Sequence, residues 1–381
     1  MASRSGTFVV VNHSAARARA AWEVVRRALD GAGVKFDAHE ARAFGDARAR
    51  TRDALRAGYR TVAVVGGDGT LSEVVNGFFE DAVGDAARVG GVDGIARGVV
   101  GVAARGVDEG DADLRSPPQT ILRSPPSAIN AGAALALLPA GTGNDFARAV
   151  EGQRAALESW IARLVAHCRA HGVGGSRAAR AVETTRAVDV LHGTATGDVR
   201  GGATAGVGAR SFLCLNAVTL GVGAEVAARV AAQGSLARRL SGEARFGLAA
   251  AGGIARWRER RVRVRVDGGE ARELRTNLIA VVNSRFAGGG MMFSPAARFD
   301  DGLLDVVTAS RLTRAALVRE MTRIHAGGHV ANPRVRVERG ARVRVEHAAE
   351  GDSLPVEADG DVRGRTPLEI FVMPRALRVV I

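Results

Sequence analysis

Lysine is almost absent from this chain: Lys35 is the only one in 381 residues. A phosphate loop of the GxxxxGK[ST] type is therefore excluded, and that pattern occurs nowhere. Cysteine is also scarce. Cys168 and Cys214 stand far apart, without His or Cys companions at metal spacing. That argues against a disulfide framework or a zinc site and predicts a cytoplasmic setting. Aromatic residues make up only 4%, so the core must be mostly Val, Leu, Ala and Ile. No nucleic-acid module with aromatic stacking platforms is recognisable. No apolar run is long enough to span a bilayer. The first residues, MASRSGTFVVVN, run straight into a strand-like segment and do not read as a signal peptide.

What is present is ample apolar material, 46% of residues, in a length that suits two domains. The net charge is +13, nearly all from arginine. The arginines are spread along the chain rather than gathered in one block. They fit an anionic partner such as a membrane surface, and equally an arginine-, alanine- and glycine-rich composition.

The first third alternates strand and helix. Residues 7–11 form an apolar run, as in a buried parallel strand. Ala21, Val24, Val25, Ala28 and Leu29 fall on one helix face, closed by Gly31 and Gly33. A strand over 34–38, a helix over 46–57 and a strand over 61–65 follow. This order predicts a doubly wound parallel α/β sheet. Residues 80–134, rich in Gly, Asp, Arg and Pro, read as a surface insertion. The strand 135–138 resumes the pattern. After about residue 184, short β-like runs appear at 186–191, 211–218, 261–266, 277–283, 303–308, 341–346, 367–372 and 377–381. They predict an antiparallel β-sandwich or barrel, with helices over 313–326 and 236–258. The expected domains are 1–183, then 184–368.

The sharpest motif is Gly66-Gly67-Asp68-Gly69-Thr70, between a strand and the helix opening Leu71-Ser72-Glu73. Thr70 and Glu73 have capping-box spacing, which predicts that they fix the helix start. Glycines let backbone N–H groups approach an anion, and a helix N-terminus favours negative charge. A carboxylate at Asp68 would need Mg²⁺ between it and phosphate. A second loop, Pro139-Ala140-Gly141-Thr142-Gly143-Asn144-Asp145-Phe146, follows the strand 135–138. Both loops then lie at the carboxyl ends of parallel strands, where ligands bind.

GGDGTLSEVVNG with LLPAGTGNDFARA resembles the diacylglycerol kinase catalytic-domain family, which includes bacterial lipid kinases and relatives of sphingosine and ceramide kinases. The segments 216–230, 283–307 and 357–381 fit the family's C-terminal domain. The resemblance implies an α/β nucleotide domain and a β-sandwich, the active site between them, and a terminal strand (369–381) returning to the first domain. It implies an ATP- and Mg²⁺-dependent kinase acting on a lipid hydroxyl at a membrane surface, compatible with a homodimer. Asn12, Gly66, Gly67, Asp68, Gly69, Thr70, Leu71, Ser72, Thr142, Gly143 and Asn144 would contact the nucleotide. Asp361, in the Asp359-Gly360-Asp361 turn, matches the family's glutamate base. Asp301, with carbonyls at Arg298 and Leu303, matches a Mg²⁺ ligand that connects through water to Asp68 and Asp145.

Three features depart from the family. Asp361 is one methylene shorter than Glu. The loop Asn12-His13-Ser14-Ala15-Ala16 lacks the family's Pro and Gly, and Ala16 takes φ > 0 less cheaply than Gly. The insertion is longer. Alternatives to the lipid kinase are a soluble-substrate kinase of the NAD kinase type and a non-catalytic nucleotide sensor.

Overall fold

A computed structural model of the chain describes residues 6–80, 126–171, 183–196, 209–231, 233 and 242–381. Most of the expected insertion, 81–125, lies outside them. The chain opens β1 (Thr7–Asn12), α1 (Ala16–Gly31), β2 (Phe36–Ala41), α2 (Asp46–Arg56), β3 (Thr61–Gly66), α3 (Asp68–Gly77), β4 (Ala134–Pro139), α4 (Asp145–Glu151) and α5 (Leu157–His171). Strands β1 to β4 are parallel, in the order β2-β1-β3-β4. Val62 to Val65 of β3 and Leu135 to Leu138 of β4 are all buried, as strands covered on both faces must be.

The second half carries β5 (Thr185–Thr196), β6 (Ala209–Cys214), β7 (Ala217–Gly221), β8 (Arg260–Val266), β9 (Arg272–Val282) and β10 (Phe286–Ala287). Then follow β11 (Met291–Met292), β12 (Leu304–Ser310), β13 (Val335–Gly340), β14 (Arg342–His347), β15 (Pro355–Ala358) and β16 (Asp361–Val380). Apart from the end of β16, their pairing is antiparallel. In β8 the valines of the RVRVRV run alternate inward, and Val264 and Val266 pair with Val345 and Val343 of β14. One apolar core lies around β1, β3 and β4; another lies among β7, β8, β9, β14 and β16.

Two expectations about elements need correcting. The run 367–372 and all of the run 377–381 except Ile381 belong to one 20-residue strand, β16. Its pairing with β5 shifts register between Met373 and Leu377, where Arg375 has φ 51° and donates its N–H to Asp189. Periodicity breaks at such a bulge although the strand continues. Past the bulge, Arg378 and Val379 run parallel to β4. The run 211–218 is two strands, because the backbone turns at Leu215 and Asn216 around the Asp359 carboxylate. The helix expected over 236–258 is present as Gly242–Arg256, and residues 236–241 lie outside the described residues. No helix among the described residues is long and apolar enough to cross a membrane.

Candidate active site

Strands β3 and β4 are neighbours in register, with Gly66 opposite Pro139, so their two following loops emerge side by side. Ala140 N–H donates to Gly66 O at 2.8 Å. A Cβ on Gly141 would lie 2.5 Å from Gly67 Cα, and one on Gly67 would lie 3.0 Å from Gly141 Cα. Neither glycine appears among the positive-φ residues. Their requirement is therefore close backbone approach. Asn144 closes the second loop from a left-handed φ of 53°: it accepts from Gly141 N–H at 2.9 Å and donates to Gly141 O at 3.0 Å. A small recess, open to solvent, is lined by Val64, Gly66, Gly67, Asp68 and Leu71 on one side and Leu137, Leu138, Pro139, Asn144 and Ala147 on the other.

The aspartates lock these loops together. Asp68 accepts from the Asp145 N–H at 2.7 Å, at the N-terminus of α4. Asp145 accepts from Gly289 N–H at 2.7 Å, which ties the loop to the Gly288-Gly289-Gly290 turn of the second half. That turn needs glycine: all three have positive φ, and a Cβ on Gly290 would strike the Arg148 guanidinium. Arg148 in turn donates to Gly143 O and stands over the Phe286 ring.

The capping box expected at Thr70 and Glu73 does not form. Helix α3 begins at Asp68 with Gly67 as N-cap and no side-chain cap. Thr70 instead accepts from Asn12 Nδ2 at 2.9 Å, and Glu73 accepts from Gly45 N–H at 2.9 Å. Both side chains hold neighbouring loops to α3. The concern about Ala16 also dissolves: it is the first residue of α1 and needs no positive φ. Asn12 also receives the Ser14 N–H, so an Asx turn shapes the first loop without Pro or Gly. Thr142 receives a hydrogen bond from Arg17 at 3.3 Å, and its carbonyl receives Arg154.

The electrostatics gather several carboxylates. Burial, then Asp145, then Asp359 push the Asp68 carboxyl up to about 6. Burial also raises Asp145 and Asp359, with Asp359 adding to the shift at Asp145. Glu357, fully buried, is pushed up to about 7 by desolvation. Asp145 Oδ1 is buried with no partner among the described residues. A carboxyl raised by burial and by its neighbour Asp145, with an orphaned oxygen on that neighbour, suits a divalent cation with oxygen ligands. Asp68 and Asp145 thus fit Mg²⁺.

A pH dependence follows. Asp68 and Glu357 hold a proton more tightly folded than unfolded. Their stabilising contribution is complete below their unfolded values and is lost as pH rises through about 6 and about 7. The melting temperature without Mg²⁺ is expected to fall over that window. Added Mg²⁺ should raise it by an amount that grows with pH and disappears in Asp68→Asn. A pH-independent gain would remove the cation from this pair.

Asp361 begins β16. Its side chain is 42% exposed and meets Arg363 Nη2 at 3.2 Å. Its charge contributes to the raised pKa of Glu73, after burial, so it faces α3. Arg363 also donates to Ser72 Oγ at 3.3 Å, which brings Asp361 and the start of α3 together. Asp301 belongs to another group. It accepts from Leu303 N–H at 3.1 Å and is ion-paired with Arg339, while Arg298 pairs with Asp300 at 3.3 Å. The Arg339 guanidinium thus engages one oxygen of Asp301 and the Leu303 N–H the other. Asp359 and Glu357 were not singled out as site residues by sequence. Asp359, at φ 47°, accepts from Leu215 and Asn216 N–H. Glu357 accepts from Thr219 Oγ1 and Gly360 N–H, both at 2.5 Å. An acid in the otherwise apolar strand Pro355–Ala358 was the available signal.

Residues 6–174 match the diacylglycerol kinase catalytic domain, and residues 216–381 match the YegS C-terminal NAD kinase beta sandwich-like domain. A diacylglycerol kinase of Mycobacterium tuberculosis is 34% identical over 139 residues, 36% of this chain and 44% of that protein. The chain thus aligns with less than half the length of that relative. A "Probable lipid kinase YegS-like" of Pseudomonas aeruginosa is 29% identical over 88% of this chain and 81% of its own length. The crystal structure of a diacylglycerol kinase from Bacillus anthracis has the same fold: TM-score 0.59, 16% identity, covering 99% of this chain and 96% of the other.

Proposed function

We propose that this chain, whose residues 6–174 match the diacylglycerol kinase catalytic domain and residues 216–381 the YegS C-terminal domain, transfers the γ-phosphoryl group of ATP to a hydroxyl of a diacylglycerol-like membrane lipid. The observation that carries this reading is the meeting of the two glycine loops beside Asp68, with Asp361 joined to the same place through Arg363 and Ser72. The N–H groups at the start of α3 and the 141–144 loop bind and orient the phosphates. The acceptor oxygen bonds to the γ-phosphorus, the bond from that phosphorus to the ADP oxygen breaks, and the hydroxyl proton passes to Asp361. Asp68 and Asp145 would hold Mg²⁺, which would supply charge compensation for the phosphates. The acceptor comes from the inner face of the membrane, to which the net charge of +13 draws the protein transiently. No nucleic acid is involved; a homodimer is compatible with this reading.

The test is transfer of labelled γ-phosphate from ATP–Mg²⁺ to a mixed lipid extract, with NAD⁺ as a soluble acceptor in parallel. Wild type, Asp68→Asn and Asp361→Asn are compared. A labelled lipid lost in both variants supports the reading. Label on NAD⁺ alone, or ATP binding with no transfer, replaces it with a soluble-substrate kinase or a sensor. Sedimentation with liposomes that ignores anionic lipid content would remove the electrostatic part.

A further inference from the structure

Arg363 lies two residues after Asp361 on β16, and its side chain is 21% exposed. One nitrogen, Nη2, donates to both Asp361 Oδ2 at 3.2 Å and Ser72 Oγ at 3.3 Å. Nε is buried and meets no acceptor among the described residues. The charge is felt at Asp359 and Glu357, whose carboxyls it favours in ionised form against the larger effect of burial. A guanidinium carries five N–H donors in a fixed fork suited to phosphate, and the two bonds of Nη2 leave Nη1 unengaged among the described residues. The helix it touches begins with the glycine loop, which holds neither lysine nor arginine from Gly66 to Ser72.

We propose that Arg363 contacts the terminal phosphate of bound ATP and, through its bonds to Ser72 and Asp361, holds the carboxylate beside that phosphate. The inference rests on the reading above for the identity of the ligand. It concerns a contact that ATP can make and ADP cannot. As the phosphorus leaves the ADP oxygen and bonds to the acceptor oxygen, the guanidinium stays with the transferring group. The proton goes to Asp361, and no other reactant is needed.

The test needs no lipid. Affinities for ATP and ADP, each with Mg²⁺, are measured by calorimetry for wild type, Arg363→Ala and Arg363→Lys, with thermal melting beside them. A lost hydrogen bond to a charged group predicts ATP binding about ten- to a hundred-fold weaker in Arg363→Ala. ADP binding should be unchanged, and Arg363→Lys should lie between the two. In the transfer assay kcat should fall more than the KM for ATP rises. Equal weakening of both nucleotides would reduce Arg363 to a fold-holding residue and overturn the inference. Unchanged ATP binding in both variants would overturn it while leaving the kinase reading intact. A wild type that binds neither nucleotide overturns both. Should Arg363→Ala fail to fold, Arg363→Lys decides alone: retention of the full preference for ATP over ADP would show that charge without the fork suffices, against the proposal.

Discussion

Asp361→Asn is expected to bind ATP as the wild type does and to transfer phosphate about 10²- to 10⁴-fold more slowly, the usual contribution of a general base. The side chain is 42% exposed and makes one ion pair, at 3.2 Å to Arg363, so its loss should not unfold the chain. A surface pair of this kind is worth about 0–1 kcal/mol. Asparagine keeps the shape and the acceptor oxygen while removing the capacity to take a proton. Asp361→Glu, which lengthens the carboxylate by one methylene, should stay within about tenfold of wild type, because proton acceptance needs reach before it needs a tuned pKa. Steady-state lipid phosphorylation with ATP binding measured separately would decide. An Asp361→Asn enzyme retaining more than about a tenth of the rate would remove Asp361 from the base role.

A rival carboxylate exists. Glu357 has its carboxyl pushed up to about 7, the range in which a base at neutral pH works well. Geometry decides against it. One oxygen receives Thr219 Oγ1 and the other receives Gly360 N–H, both at 2.5 Å, and the residue is buried. Glu357 holds the turn that presents Asp361. Its replacement by Gln should therefore lower the melting temperature before it lowers the rate of the folded fraction. A large rate loss at unchanged stability would reverse the two roles.

The parallel half was legible because its signals are local. The apolar runs at β1, β3 and β4 and the glycines after β3 and β4 mark strands and loops in short windows of sequence. The bulge in β16, the turn of Leu215 and Asn216 around Asp359, and the tie from Asp145 to Gly289 were not legible. Each joins residues far apart in the chain, and one-dimensional periodicity carries no such term. Thr70 and Glu73 illustrate the same limit: their spacing suits a capping box, but neighbouring loops offer both side chains partners. Asp361 was singled out by family resemblance alone. Arg363 had no motif at all, and only its contacts bring it forward.

Gly141→Ala is expected to cost both stability and nucleotide binding. The new Cβ would stand 2.5 Å from Gly67 Cα and 2.8 Å from Asn144 Oδ1. The first neighbour is backbone, so relief requires the two loops to separate. The second is the side chain that closes the 141–144 turn, and both its bonds to Gly141 would be disturbed. Overpacking of this kind costs about 1–3 kcal/mol. A shift of about 1 Å between phosphate and base can lower the rate about 10²-fold. Both effects should appear together, as a lower melting temperature and weaker ATP binding. Gly69→Ala separates the fold's demand from the ligand's. Nothing lies within 4 Å of a Cβ at that position, and it is the second residue of α3. Alanine in place of glycine in a helix is favoured by about 0.5–1 kcal/mol, so the free protein should be no less stable. If phosphate lies against the Gly69 backbone, ATP binding must still weaken, because the methyl group would fill that space. A Gly69→Ala protein that is stable and binds ATP unchanged would place the phosphates elsewhere, and the interlocked glycines at 67 and 141 would then be a device of the fold alone.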